Sequence, residues 1–167
     1  MNTPDGSPSV NSKTQHPEWT GIFDSVEAKD TFLIAFLSNA ILVPSYDEVK
    51  KEFGFIQAEY LLLLCLAHIP MLTAQDVSTM TRRPRNSISR AVHRLLKDGY
   101  LNRVPDPDDG RQAKLSITES GRAIQNKISK VILQRESELL QILNETERED
   151  FQKILRKLAL HASTLKR

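Results

Sequence analysis

PRNSISRAVHRLLKDG, Pro84 to Gly99, is the stretch on which the reading of this chain turns. Within it Ile88, Ala91, Val92, Leu95 and Leu96 recur at intervals of three and four residues, which places them on one face of a helix. The same spacing lines up Asn86, Arg90, His93, Arg94 and Lys97 on the opposite face, polar throughout and mostly cationic. Pro84 suits the first helical turn, and Gly99 suits the left-handed position just past the end. A helix with such a face has the right shape for a major groove.

The flanks extend the pattern. Upstream, Thr73 with Asp76 three residues on has the form of a capping box that opens a short helix, and Thr81 to Arg83 supplies the turn between the two helices. Downstream, Tyr100 to Val104 and Gln112 to Ile117 have the composition of strands, and Pro105 to Arg111 between them is nearly all turn formers. The expectation is a helix-turn-helix followed by a two-stranded wing with an arginine near its tip. Residues 82 to 111 hold eight Lys or Arg against four Asp, a local net of +4 in a chain that nets only +2. Positive charge is concentrated where the groove-shaped helix lies.

At this point the sequence resembles a known family. LTAQDVSTMTRRPRNSISRAVHRLLKDGYLNRVPDPDDGRQAKLSITESGRAI, Leu72 to Ile124, is similar to the winged-helix core of the MarR family of bacterial transcriptional regulators. The most specific piece is the wing, DPDDGR leading into LSITESGR, and the order of the remaining helices extends the likeness over Asp24 to Leu165. The resemblance implies a mainly α fold with a small β-wing, and an intertwined homodimer built from the first and last helices. It further implies repression by occlusion of a promoter, relieved by a small-molecule effector, commonly an aromatic acid, bound between the dimerisation helices and the winged domain. A two-fold dimer would set two recognition helices in major grooves roughly 34 Å apart, so double-stranded DNA carrying an inverted repeat is the expected partner.

The rest of the chain fits that organisation. Residues 1 to 20 hold little to bury and read as a flexible arm, with Trp19 as the first candidate for a packed contact. Residues 21 to 55 read as N-terminal dimerisation helices, 56 to 118 as the winged helix-turn-helix, and 119 to 167 as C-terminal dimerisation helices. Asp24 or Ser25 is positioned to cap a helix whose apolar residues from Phe32 to Leu42 occupy more than one stripe, and Pro44 is expected to end or kink it. Ile56 to Ile69 is apolar on most sides and therefore central. Thr118 is placed to cap a long helix, and Thr146 with Glu149 to open a last one. The apolar stripes of these terminal helices have no neighbouring domain in sequence to receive them.

Individual residues acquire roles from position and chemistry. Arg90, in mid-helix, can reach guanine O6 and N7 with two parallel hydrogen bonds. Asn86 and Ser87 in the first turn are placed either to meet base edges or phosphate or to cap the helix, and Ser89 flanks them as a phosphate contact. Arg82, Arg83 and Arg85 stand before the helix where phosphate oxygens would lie, and Arg94 belongs to the same cationic face. From the resemblance, Arg111 matches the wing arginine that enters a minor groove, and Gly110 stands where relatives often carry a basic residue; Asp109, whose carboxylate phosphates would repel, is placed to orient Arg111 or the turn. Tyr46, Tyr60 and His68, with Arg94, are candidates for an effector pocket, although core packing or exposure explains each as well.

Other functions find less support. No nucleophile elbow, Walker loop or dinucleotide fingerprint occurs, so neither an enzyme nor a cofactor is expected. His16, His68, His93 and His161 lack paired ligand spacing, and an Asp106-Asp108-Gly110 calcium loop would be incomplete. The single cysteine, Cys65, sits in an apolar run as a core residue and allows no disulfide framework, which suits a cytoplasmic, nucleoid-associated protein. The apolar stretches Phe32 to Val43 and Tyr60 to Ile69 are short for a membrane span. The remaining alternative is a winged-helix protein-interaction module without sequence-specific DNA binding; such a module would not need four basic side chains on its polar helix face.

Overall fold

The computed structural model describes residues 16–105 and 113–165, which fall into two compact units divided between Ser38 and Asn39. The first contains a 3-10 turn, Glu18–Gly21, a single helical turn, α1 (Ile22–Ser25), and the start of α2 (Lys29–Phe53). Among the described residues Trp19 makes the first aromatic contact: its ring lies 5.7 Å from Phe23 and 5.9 Å from Phe36, and Phe23 lies 5.0 Å from Phe36. That aromatic cluster explains why the long helix is not capped by Asp24 or Ser25. Val26 is extended, the chain turns, and α2 begins only at Lys29, so that Phe32 and Phe36 can face Phe23.

Pro44 does not end α2. A proline removes one N–H, here the donor to the Ala40 carbonyl, and the helix continues to Phe53, with Ser45 Oγ donating to the Ile41 carbonyl at 2.6 Å. By length and composition α2 is apolar enough to cross a membrane. Its charge-free run, 31–46, would nevertheless span only about 24 Å against a hydrocarbon core of about 30 Å, with charged residues at both ends.

The second unit contains α3 (Gln57–His68), α4 (Ala74–Thr81), α5 (Arg85–Lys97), β1 (Leu101–Pro105), β2 (Ala113–Ile117), α6 (Glu119–Leu140) and α7 (Glu145–Thr164). Its core is centred on α3, whose Leu62, Leu63 and Leu66 are fully buried with Val77 of α4, Ile88 and Leu95 of α5, and Ile128 of α6. The strands pair antiparallel from Leu101↔Ile117 to Pro105↔Ala113, and Leu72 adds a bridge to Leu115 that ties the start of the helix-turn-helix to the wing. The expected wing turn, with Asp109, Gly110 and Arg111, lies outside the described residues.

The starts of α4 and α6 follow the capping chemistry read from the sequence, and that of α7 corrects it. Thr73 Oγ1 accepts from the Asp76 N–H at 3.1 Å while the Asp76 carboxylate accepts from the Thr73 N–H at 2.8 Å, and Thr118 Oγ1 accepts from the Gly121 N–H at 3.0 Å. The last helix is capped by Asn144 with Glu147, two residues before the expected Thr146 and Glu149. Both pairs have the same spacing; asparagine ends the preceding turn and is among the stronger caps, so the earlier pair prevails. Within the unit α7 has no buried residue, and Ile154, Leu155, Leu158 and Leu160 are exposed.

Candidate nucleic-acid interface

The recognition helix candidate, α5, is oriented by what it buries. Ile88, Ala91 and Leu95 enter the core, and Val92 and Leu96 are half-buried beside them. Burying that stripe leaves Arg85, Asn86, Ser89, Arg90, His93 and Lys97 exposed together, with Ser87 half-buried at their edge. Pro84 occupies the capping position instead of the first helical position, and it offers no side-chain acceptor. Neither Asn86 nor Ser87 is therefore the cap, and the capping role weighed for them is not taken.

The arginines before the helix do not all remain available. Arg82 closes α4 in the left-handed region, at φ 55°, and its guanidinium donates to the backbone carbonyls at the end of α7, reaching Leu165 at 3.2 Å and also Ala162. It is committed to a helix terminus, contrary to the expected phosphate contact. Arg83 is half-buried: its carbonyl accepts from Ser78 Oγ at 2.8 Å, and its Nε is buried without a hydrogen-bond partner among the described residues. Arg85 is exposed; Arg82, although exposed too, is held at the end of α7.

Arg94 departs furthest from the expected cationic face. Its Nη1 donates to Glu59 Oε2 at 2.6 Å and to the Gly54 carbonyl at 2.8 Å, its Nε donates to Asp98 Oδ2 at 3.3 Å, and the guanidinium sits 5.2 Å from the Phe55 ring centre. Burial works against its charge, but the carboxylates of Glu59 and then Asp98 outweigh it and raise its pKa. Arg94 is thus turned toward the α2–α3 junction and away from the exposed polar set. The only sequence signal for this was a lone acid, Glu59, in the otherwise apolar helix IQAEYLLLLCLAHI: a buried carboxylate requires a partner.

Beside α5 a groove of about 360 Å³ is lined by Thr73, Gln75, Arg85, Ser89, His93 and Arg103, among others. Gln75 and Arg103 were not singled out from the sequence, and membership of the charged 82–111 cluster was the only hint for Arg103. Two of the three residues named for an effector pocket lie near each other. Tyr46 and Tyr60 rings lie 6.3 Å apart, and the Tyr60 hydroxyl is 3.0 Å from Ser129 Oγ. Burial, reinforced by Tyr60, pushes the Tyr46 phenol up to about 12, with Gln57 and Arg83 acting in the opposite sense. His68, roughly two turns further along α3 and exposed, does not join them. Cys65 is half-buried, and burial raises its thiol pKa, as for a packing residue.

Comparisons with known proteins bear on this geometry. Residues 53–112 match the family model of the MarR family. The HTH-type transcriptional regulator SarZ of Staphylococcus epidermidis is 23% identical over 108 residues, 65% of this chain and 73% of its own length. A crystal structure of MarR superposes with a TM-score of 0.67 at 29% identity, covering 78% of this chain and 90% of that one. A mutant MarR from E. coli, solved in complex with operator DNA, has the same fold at a TM-score of 0.65 and 17% identity, covering 82% of this chain and 97% of its own.

Proposed function

We propose that the chain is a MarR-family transcriptional regulator and that it works as a homodimeric repressor that grips an inverted-repeat operator and lets go when a small aromatic acid binds. The observation that carries the reading is the exposed polar set Arg85, Asn86, Ser89 and Arg90 on α5, standing opposite the buried Ile88, Ala91 and Leu95. Arg90 reads a guanine in the major groove; Asn86, Ser87 and Ser89 meet base edges and phosphates; Arg85 neutralises backbone charge. Arg111, from the resemblance, enters the adjoining minor groove with Asp109 and Gly110 shaping the turn that presents it. Arg83, half-buried before the helix, meets a phosphate, whereas Arg94 supports the helix from within and is not a groove contact in this reading.

Dimerisation draws on the exposed apolar residues of α7 and on the segments 21–55 and 119–167. The effector site is the Tyr46–Tyr60 region, and a ligand would release DNA by binding the non-operator geometry more tightly than the operator geometry. The test is selection from random duplex DNA followed by titration at several salt concentrations, with and without aromatic acids. Enrichment of a palindrome bound by a dimer, weakened by an acid, is the expected result. Salt-insensitive behaviour with no enriched sequence would point instead to a protein-interaction module.

A further inference from the structure

The Arg94 contacts form a constellation larger than one ion pair. Glu59 is almost fully buried, and the same Oε2 that meets Arg94 also accepts the Ile56 N–H at 2.8 Å, which opens α3. Gly54, whose carbonyl is the second acceptor, ends α2 at φ +72°, in the region that favours glycine. Phe55 beneath the guanidinium is 2% exposed and meets Tyr100, just before the wing, edge-on at 5.3 Å. One side chain on α5 therefore touches the end of α2, the start of α3 and a ring that reaches the root of the hairpin.

We propose that Arg94 is the positioning residue of the recognition helix, fixing through Glu59 and the Gly54 carbonyl the angle at which Arg85 to Arg90 are presented to DNA. This rests on the operator-binding function proposed above. Two parallel hydrogen bonds from an arginine to a guanine tolerate only small errors in helix orientation, so an anchor one turn beyond Arg90 governs base reading without touching a base. A planar fork is needed because donors must reach two acceptors while the plane lies against a ring; a lysine ammonium cannot do all three. Non-specific attraction to phosphates makes no such demand on angle.

The full chain is titrated with its selected operator and with an unrelated duplex between 50 and 200 mM salt, comparing the unaltered protein with Arg94→Ala, Arg94→Lys and Glu59→Gln, each checked by thermal melting. The expected result is at least a tenfold loss of operator affinity for Arg94→Ala, with the unrelated duplex bound as before and the salt slope unchanged. Arg94→Lys, which keeps the charge, should recover only part of the loss. Glu59→Gln should lose roughly threefold although it removes a negative charge that would otherwise repel DNA. A merely structural role would move the melting temperature and leave the ratio of operator to unrelated affinity intact well below it. A salt slope smaller by about one in Arg94→Ala, full recovery in Arg94→Lys, or an unaltered ratio in Glu59→Gln would each overturn the proposal. If the unaltered protein prefers no sequence, the function proposed above fails instead.

Discussion

Arg90 and Arg94 stand one turn apart on the same helix and belong to different environments. Arg90 is exposed in the half of α5 that carries Arg85, Asn86 and Ser89, whereas Arg94, half-buried, is bound to Glu59, Gly54, Asp98 and the Phe55 ring. The difference shows that an amphipathic helix divides into a stripe that packs, a face that meets solvent and a margin between them. A long cation on the margin goes where a buried carboxylate draws it.

That contrast can be attacked by substitution. Leu95→Ala, which removes a fully buried side chain beneath the whole helix, should cost about 3 kcal/mol of folding stability by urea denaturation, the largest effect expected. Next comes Arg94→Ala, which strands the Glu59 carboxylate; after allowance for an arginine side chain that is 39% exposed, a loss of about 2 kcal/mol is expected in the same measurement. Arg90→Ala should do the reverse, with stability within about 0.5 kcal/mol but operator binding weaker by roughly 1 to 3 kcal/mol in anisotropy titrations. If Arg90→Ala destabilised the fold as much as Arg94→Ala, the two environments would not differ as described. Asp98→Asn is expected to matter least, about 0.3 kcal/mol, because its contact with Arg94 is 3.3 Å long and partly in solvent; a larger loss would shift the anchor from Glu59 to Asp98.

What could be read in the sequence was whatever depends on near neighbours along the chain. The buried stripe Ile88, Ala91 and Leu95, the Thr73 and Thr118 caps, and the left-handed Gly99 at φ +74° follow from spacing and residue type, and the structure has them. The last helix was placed two residues late because Asn144 and Thr146 present the same capping pattern, and local chemistry alone did not rank them. Arg94 was misplaced for a different reason. Its partner Glu59 is 35 residues away, and no periodicity encodes which cation a buried acid will claim. Arg82 was lost to the DNA face in the same way, because its acceptors lie at the far end of the chain, on α7. The start of α2 was missed because an aromatic cluster overrode the caps that were available.

Gly121, in the first turn of α6, has room for a hydrogen atom only: a methyl group there would run into the Tyr100 carbonyl oxygen and come within 2.9 Å of Ile117. The root of the hairpin and the long helix are therefore joined without an intervening side chain that could yield. Any side chain at this position would have to push the helix and the base of the wing apart.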